Sequence, residues 1–410
     1  MTMSDAGATK NPRIAIIGAG LTGLLTAHGL KKAGFTVTLY DAETSLDARP
    51  RDWTIVLHWA LPTFKKLLPA HIVDNLPRAI CNPHLDFTPE VECLPAINGK
   101  TGGPLFTSPM PGSRRVARQR LRKVLAEGVD VQWGKRLVSM EAGAEKDGPV
   151  VLGFEDGCTV EAEYVLGTDG PGSKVRDLLF GGREEGKVRP SGYMFGTVIV
   201  KHGDAEKVKA VVKAHPVATV LMGTESVGGI GVMYVDDPED KSTWTTFWVK
   251  IWKRGVFPDP PASQGKEALE YLKETTTNLV EPFQSQVDWT PVDGDAVCFI
   301  DEMKTWEPVS PLESRSGRVA LAGDAAHPML VYRGQGFQHA VLDADNYVDS
   351  LIKIRDGGEA KEAVFAAYNE EMVERGAKAV VQSLREAELS MDLESVNKML
   401  MVRQGHGKST

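Results

Sequence analysis

Cysteine is scarce in this chain: Cys81, Cys93, Cys158 and Cys298 are the only four, and no two lie close together. That spacing supplies neither the paired ligands of a zinc site nor the framework of a secreted disulfide-bonded domain, so a reducing, cytoplasmic setting is expected. Excess positive charge is missing too. Lys and Arg number 47 against 55 Asp and Glu, and the net charge of -8 argues against a polyanion as main partner, so no nucleic acid is expected. No apolar run is long enough to span a bilayer, and the polar opening MTMSDAGATKNPR lacks the apolar stretch of a secretory signal. It reads as a short disordered lead. The closing GHGKST matches no lipidation or retention signal. There is no internal repeat, no HExxH, no Ser/His/Asp order and no cluster of metal ligands, so neither a metal nor a side-chain nucleophile is expected.

What is present is ordinary in bulk and informative in order. With 410 residues, 42% of them hydrophobic, the chain exceeds what one core usually supports, which predicts two intertwined domains or one enlarged α/β unit. Residues 13–17 form a short β-branched apolar run ending in glycine, as a buried parallel strand does. Helical periodicity follows over 21–32 until Gly34, and 35–40 alternates as a second strand, completing a βαβ unit. Further along, 54–57 reads as a strand, 59–68 as an amphipathic helix, 114–127 as a basic helix, and 129–169 as several strands joined by turns. Strand candidates at 193–200, 217–222, 230–235 and 243–252 predict a mostly antiparallel sheet, with helices near 205–214 and 264–278. Trp244, Trp248 and Trp252 share a face under either periodicity and are read as core in preference to a pocket wall. After a strand at 318–322 and a glycine-rich turn, long helices run to about residue 400.

The first strand-to-helix junction carries the chemistry. Gly18-Ala19-Gly20-Leu21-Thr22-Gly23 matches GxGxxG where a strand stops and a helix starts, the context that gives this motif its meaning. Gly18 allows the tight turn, Gly20 lets the backbone approach a pyrophosphate, and Gly23 permits close helix-strand packing. The free N–H groups of the helix N-terminus then face the anion. Asp41 closes the second strand, where its carboxylate can accept both ribose hydroxyls of an adenosine. Gly228-Gly229-Ile230-Gly231 lacks the third glycine and runs into a strand, so it is not a second dinucleotide site.

The fingerprint alone does not choose between NAD and FAD. Two later segments do: Thr168-Asp169-Gly170-Pro171-Gly172-Ser173-Lys174-Val175-Arg176, and Gly323-Asp324-Ala325-Ala326-His327-Pro328 with Arg333-Gly334-Gln335-Gly336 shortly after. In that order and spacing they resemble the FAD-dependent aromatic hydroxylases, the para-hydroxybenzoate hydroxylase-like group A flavin monooxygenases, and especially fungal members that tailor secondary metabolites. The resemblance implies an α/β fold: a Rossmann-type, glutathione-reductase-like FAD-binding domain interleaved with an antiparallel-sheet substrate domain, followed by C-terminal helices. It places the FAD part at 12–80, 113–189 and 299–400, and the substrate part at 81–112 and 190–298. It implies that Asp169 supports the pyrophosphate region, that Asp324 contacts ribitol and pyrophosphate, and that Arg118, three residues before Leu121, reaches the FAD pyrophosphate. Arg114, Arg115, Arg120 and Arg122 are then read as a solvated face. Arg51, preferred over Arg49, is expected beside the flavin, with Trp53, His58 and Trp59 near the ring or its entrance. Gly334 and Gly336 are expected to hold FAD, and His327 to be structural.

Two departures stand beside the expected flavin ring: Val331 where the family commonly has Pro, and Gln338 where it has Asn. The activity implied is NADPH- or NADH- and O2-dependent hydroxylation or epoxidation of a small, aromatic or polycyclic substrate through an FAD C4a-hydroperoxide, with Arg51, His58 and Val331 at the reaction centre. The cofactor carries that chemistry; the protein positions the substrate and excludes water. Rival readings are an FAD oxidase, isomerase or cyclase that inserts no oxygen, and a non-catalytic binding protein on the same scaffold. A tryptophan-type flavin halogenase is disfavoured because its Trp-x-Trp-x-Ile-Pro segment is absent. Substrate identity and oligomeric state are not legible.

Overall fold

The fold is described by a computed structural model covering residues 12–49, 51–142, 148–310 and 312–407; the expected N-terminal lead falls almost wholly outside them. Its first layer is a five-stranded, all-parallel sheet in the order Val319–Leu321, Tyr164–Gly167, Arg13–Ile17, Thr36–Asp41, Val131–Trp133. The central strand reads as a continuous apolar run because it is covered on both faces: Ile14 and Ile16 belong to one core cluster, Ala15 and Ile17 to another. The helix Leu21–Lys32 packs on the first of these clusters beside the long helix Gly336–Gly357. Gly29 is what allows their close approach, since a Cβ there would lie 2.8 Å from Leu67 and 2.9 Å from Val348.

The second layer is a seven-stranded sheet built around the long antiparallel strands Arg189–Lys201, Val227–Tyr234, Thr245–Lys253 and Val297–Thr305. Two strands from much earlier in the chain, Cys93–Asn98 and Pro104–Pro109, complete its far edge, so the two domains interleave. The boundary expected between 298 and 299 cuts through the strand Val297–Thr305, whose pairing with Arg189–Lys201 keeps it in this sheet. Trp248 and Trp252 point to the outer face, under the helices Lys266–Glu274 and Phe283–Asp288, where each is 1% exposed. Trp244 precedes the strand and joins a separate small cluster, so the tryptophans are core residues, two of them on a shared face. The inner face, with Tyr193, Phe195 and Ile251, looks toward the FAD-side layer and the helix Lys361–Ser390.

The expected basic helix over 114–127 is divided. Arg114–Ala117 is a strand paired with Thr54–Leu57, and only Arg118–Ala126 is helical. Helical spacing hid a four-residue strand whose partner lies about sixty residues away, a tertiary pairing that local pattern does not carry. Among the described residues no helix is long and apolar enough to cross a membrane.

Candidate functional site

The glycine turn is shaped by close contacts on one side and open space on the other. Gly18 has φ +104°, and a Cβ there would lie 2.6 Å from the Thr168 carbonyl; one on Gly23 would lie 2.1 Å from the Gly18 carbonyl. Gly20, which caps the helix with no side-chain bond, would place a Cβ within 4 Å of no atom. The bare N–H groups of a twelve-residue helix therefore face an open cleft across Gly20, a cradle suited to a pyrophosphate. Leu21 is buried in the first turn of the helix, and Thr22 meets Gly323, whose Cβ position is 2.6 Å from the Thr22 hydroxyl.

Asp41 holds the turn from below: Ala19 N–H donates to its Oδ2 at 2.6 Å and Glu43 N–H to its Oδ1 at 2.7 Å. Arg122 was expected on a solvated face and is instead 3% exposed. Its Nε–H donates to the Ala19 carbonyl at 2.9 Å, and its Nη1–H groups to Glu43 at 2.8 Å and to the Leu46 carbonyl at 3.2 Å. One turn earlier, Arg118 stacks 4.6 Å above Trp53, and among the described residues its guanidinium makes no hydrogen bond to protein. Burial first, then the neighbouring Arg122, lowers its pKa, while Asp52, Glu43 and Asp324 oppose that shift. Of the other arginines read as solvated, Arg114 pairs with Glu92 and lies over Phe87, and Arg120 lies over Tyr234. Arg115 donates to Thr54 and buries an Nε without a partner, lining an interdomain cavity with Val56, Phe87, Leu94, Met110 and Ala218.

Asp324 faces the same cleft as Arg118. Its carboxylate is solvent-accessible and has no protein hydrogen bond among the described residues. The surrounding protein nonetheless raises its pKa by burial, against the pull of His327 and Arg118. A buried ion network sets the turn that carries it. Asp343 accepts from Gly323 N–H at 2.7 Å, from His327 Nε2 at 2.6 Å and from Arg375 at 2.6 Å. Burial alone would raise the Asp343 pKa, but these partners overrule it and hold it far below the usual carboxylate range. His327, expected to be structural, sits in this network with no exposure. Asp169 has both oxygens bonded by protein, to the Ser173 hydroxyl and to Lys174 N–H and Val175 N–H, so it braces the start of the helix Lys174–Leu179, whose N-cap is Ser173. Arg176 in turn donates to the Ala325 carbonyl at 2.7 Å, bracing the Asp324 turn from behind.

The three residues expected at the reaction centre occupy three positions along the domain seam. His58 is 5% exposed and donates through Nε2 to the Gly334 carbonyl at 3.1 Å; burial lowers its pKa to about 4, so it is neutral at physiological pH. Val331 opens the short turn Tyr332–Gly334 with φ -68°, is 46% exposed, and its carbonyl accepts from Gly334 N–H at 3.1 Å. Arg51 pairs with Asp301 at 3.0 Å and lies over Phe299, both on the substrate sheet, while Arg49 pairs with Glu43. Gln338, expected beside the flavin ring, has its amide committed to the backbone: it donates to Val56 and accepts from His58 and Ala60. Trp59 donates to Gln335 at 3.0 Å, tying the entrance of the site to the loop that bears Gly334 and Gly336.

Comparison with known proteins identifies the family and the cofactor. Residues 113–383 match the family described as FAD binding domain, and residues 16–66 match the NAD(P)-binding Rossmann-like domain, which supports FAD as cofactor with NADPH or NADH as co-substrate. The FAD-dependent monooxygenase phnB of Penicillium herquei is 30% identical over 96% of this chain and 94% of its own length. The FAD-dependent monooxygenase cctM of Talaromyces islandicus is 32% identical over 90% of this chain and 91% of its own. Among solved structures, Klebsiella pneumoniae HpxO complexed with FAD and uric acid superposes with a TM-score of 0.74 at 19% identity, covering 97% of this chain and 93% of that one, which establishes the shared fold.

Proposed function

Because the chain belongs to the FAD-dependent monooxygenases of the aromatic-hydroxylase fold, we propose that it uses NAD(P)H and O2 to hydroxylate or epoxidise a small aromatic or polycyclic substrate held between its two domains. The observation that carries this reading is the meeting of Gly20, Arg118 and Asp324 at one cleft. Two charged groups from distant parts of the chain face each other there without protein hydrogen bonds, beside a helix N-terminus stripped of side chain. A pyrophosphate on the N-terminus and Arg118, with ribitol hydroxyls on Asp324, fits that donor and acceptor set. Asp41, Leu21 and Thr22 would line the adenosine side, and Gly334 and Gly336 the flavin side, while Asp169 acts through the turn it braces. Bound FAD supplies the reductive activation of O2 that the reaction needs.

The protein's own part is positional. Neutral His58 and the Val331 turn flank the cleft, Arg51 closes the seam against Asp301, and the apolar inner face of the large sheet excludes water. We assign residues 12–80, 113–189 and the chain after the strand Val297–Thr305 to cofactor binding, and the large sheet to the substrate. Four unpaired thiols accord with a cytoplasmic setting. The decisive experiment mixes FAD-loaded protein, NAD(P)H and candidate phenols under labelled O2. A product carrying one labelled oxygen atom is expected. Turnover of a substrate with no O2 consumed would replace oxygenation by the isomerase or cyclase reading, and O2 reduced to H2O2 with no label in the product would replace it by the oxidase reading.

A further inference from the structure

The last described residues of the chain fold back into the interdomain seam. Met399 and Met401 join Tyr193, Met222 and Ile251 on the inner face of the substrate sheet, and His406 is 4% exposed. The segment is fastened at three points. Glu386 accepts from Leu400 N–H at 2.8 Å, and the Ser108 hydroxyl donates to the Met401 carbonyl at 3.1 Å. Arg333, from the loop between Val331 and Gly334, donates to the carbonyls of Gly405 and Gly407, each at 3.1 Å. His406 therefore stands between the two walls of the site, its ring edge-on to His58 at 5.8 Å and its Nδ1 2.8 Å from the Ser108 hydroxyl.

The hydrogen-bond count fixes which ring nitrogen does what. Ser108 has one proton and gives it to the Met401 carbonyl, so His406 Nδ1 must be the donor in their contact. The lone pair then sits on Nε2, which no protein group bonds among the described residues. We propose, building on the monooxygenase reading above, that His406 Nε2 is a specificity-determining acceptor that recognises a hydroxyl of the substrate, so that the enzyme prefers a phenol or enol over its ether. The electrostatics keep it an acceptor. The charged and titratable groups that face it are His58, Arg333 and Arg115; with burial as the largest cause, they hold its pKa down to about 3, so the ring stays neutral throughout the working range. A neutral ring locked in one tautomer offers a lone pair and no competing donor at that atom.

The test uses FAD-loaded full-length protein, with flavin absorbance reporting the binding of resorcinol and of its dimethyl ether. The natural protein is expected to bind resorcinol roughly 10–100-fold more tightly than the ether, the discrimination expected when a polar partner is lost from a built site. His406→Asn retains a donor toward Ser108 but has no atom at the Nε2 position, and should bring the two affinities together. His406→Gln, which can present an amide oxygen near that position, should keep most of the preference. FAD content and Tm of both variants report folding. A preference that survives in His406→Asn, or a natural protein that shows none, would overturn the assignment. A colourless natural protein that does not oxidise NAD(P)H would instead defeat the monooxygenase reading on which it rests.

Discussion

Asp324 and Arg118, the two residues proposed to hold the cofactor, are both charged, both feel the burial of the surrounding protein, and neither has a protein hydrogen bond among the described residues. Removing the Asp324 carboxylate should leave flavin hydroxyls without their acceptor, so Asp324→Ala is expected to weaken FAD binding by about 1–3 kcal/mol, or more. Titration of the apoprotein with FAD measures this directly, and unchanged affinity would make Asp324 a structural residue. Arg122 is the contrast. Its Nε and Nη1 are bonded to Ala19, Glu43 and Leu46, and its Nη2 lies 3.8 Å from Asp41. Gly18, Gly20 and Gly23 could be proposed from the sequence because backbone geometry demands glycine there, whereas Arg118 and Asp324 could be proposed only through the resemblance that the later motifs carry. Arg122 was not legible. One residue in a run of basic side chains has the same local signal whether it meets water or a buried carbonyl, and only the packing of that helix against the glycine turn decides. His406 was hidden for a similar reason, since nothing in GHGKST announces that Arg333 will grip its carbonyls.

At the scale of elements, the two turns that carry the site differ in how they are held. The Gly323 turn rests on Asp343, whose carboxylate joins a backbone N–H, His327 and Arg375 in a fully buried place. Because the folded pKa of Asp343 lies below its unfolded value, this network stabilises the protein above the ordinary aspartate range and loses its contribution as pH falls below that range. Asp343→Asn takes the charge from the group that His327 and Gly323 N–H share and leaves Arg375 with Glu371 as its remaining carboxylate, and should cost about 1–3 kcal/mol. Tm measured against pH checks both statements: the variant should melt lower at neutral pH, and the gap to the natural protein should narrow in acid. A constant gap would mean that Asp343 does not carry the acid sensitivity.

The Val331 turn is held through its later residues, by His58 on the Gly334 carbonyl and by Arg333 on Gly405 and Gly407, while Val331 itself is half-exposed and, among the described residues, bonded only through its carbonyl to Gly334 N–H. Its φ of -68° is already the value that proline enforces, and among the described backbone bonds the Val331 N–H donates none. Val331→Pro is therefore expected to fit and to restrict the turn, lowering the ratio of H2O2 released to NAD(P)H consumed in the presence of substrate. An unchanged ratio would separate this turn from oxygen coupling.

Across the whole molecule, the proposed cofactor cleft is assembled from segments far apart in sequence: the Gly18–Gly23 turn, the Arg118 helix and the 323–336 loop. Each belongs to a different βα connection of the parallel sheet or to its far end, and the substrate sheet closes over them with strands drawn from before and after. The interleaving was expected from the family resemblance, with which the order of strands agrees, whereas the pairing of Arg114–Ala117 with Thr54–Leu57 needed the folded chain. A ligand that bridges such segments stabilises the folded state as a whole, by about 4 kcal/mol when free FAD exceeds its dissociation constant a thousandfold. The protein is accordingly expected to purify yellow, and its Tm should rise with the logarithm of added FAD. Since the contacts assigned here are ionic and hydrogen-bonded, heat or acid should release the flavin intact into the supernatant. Flavin that remains with the acid-precipitated protein would show a covalent link, and a Tm indifferent to FAD would mean that the cleft does not join these segments through the cofactor.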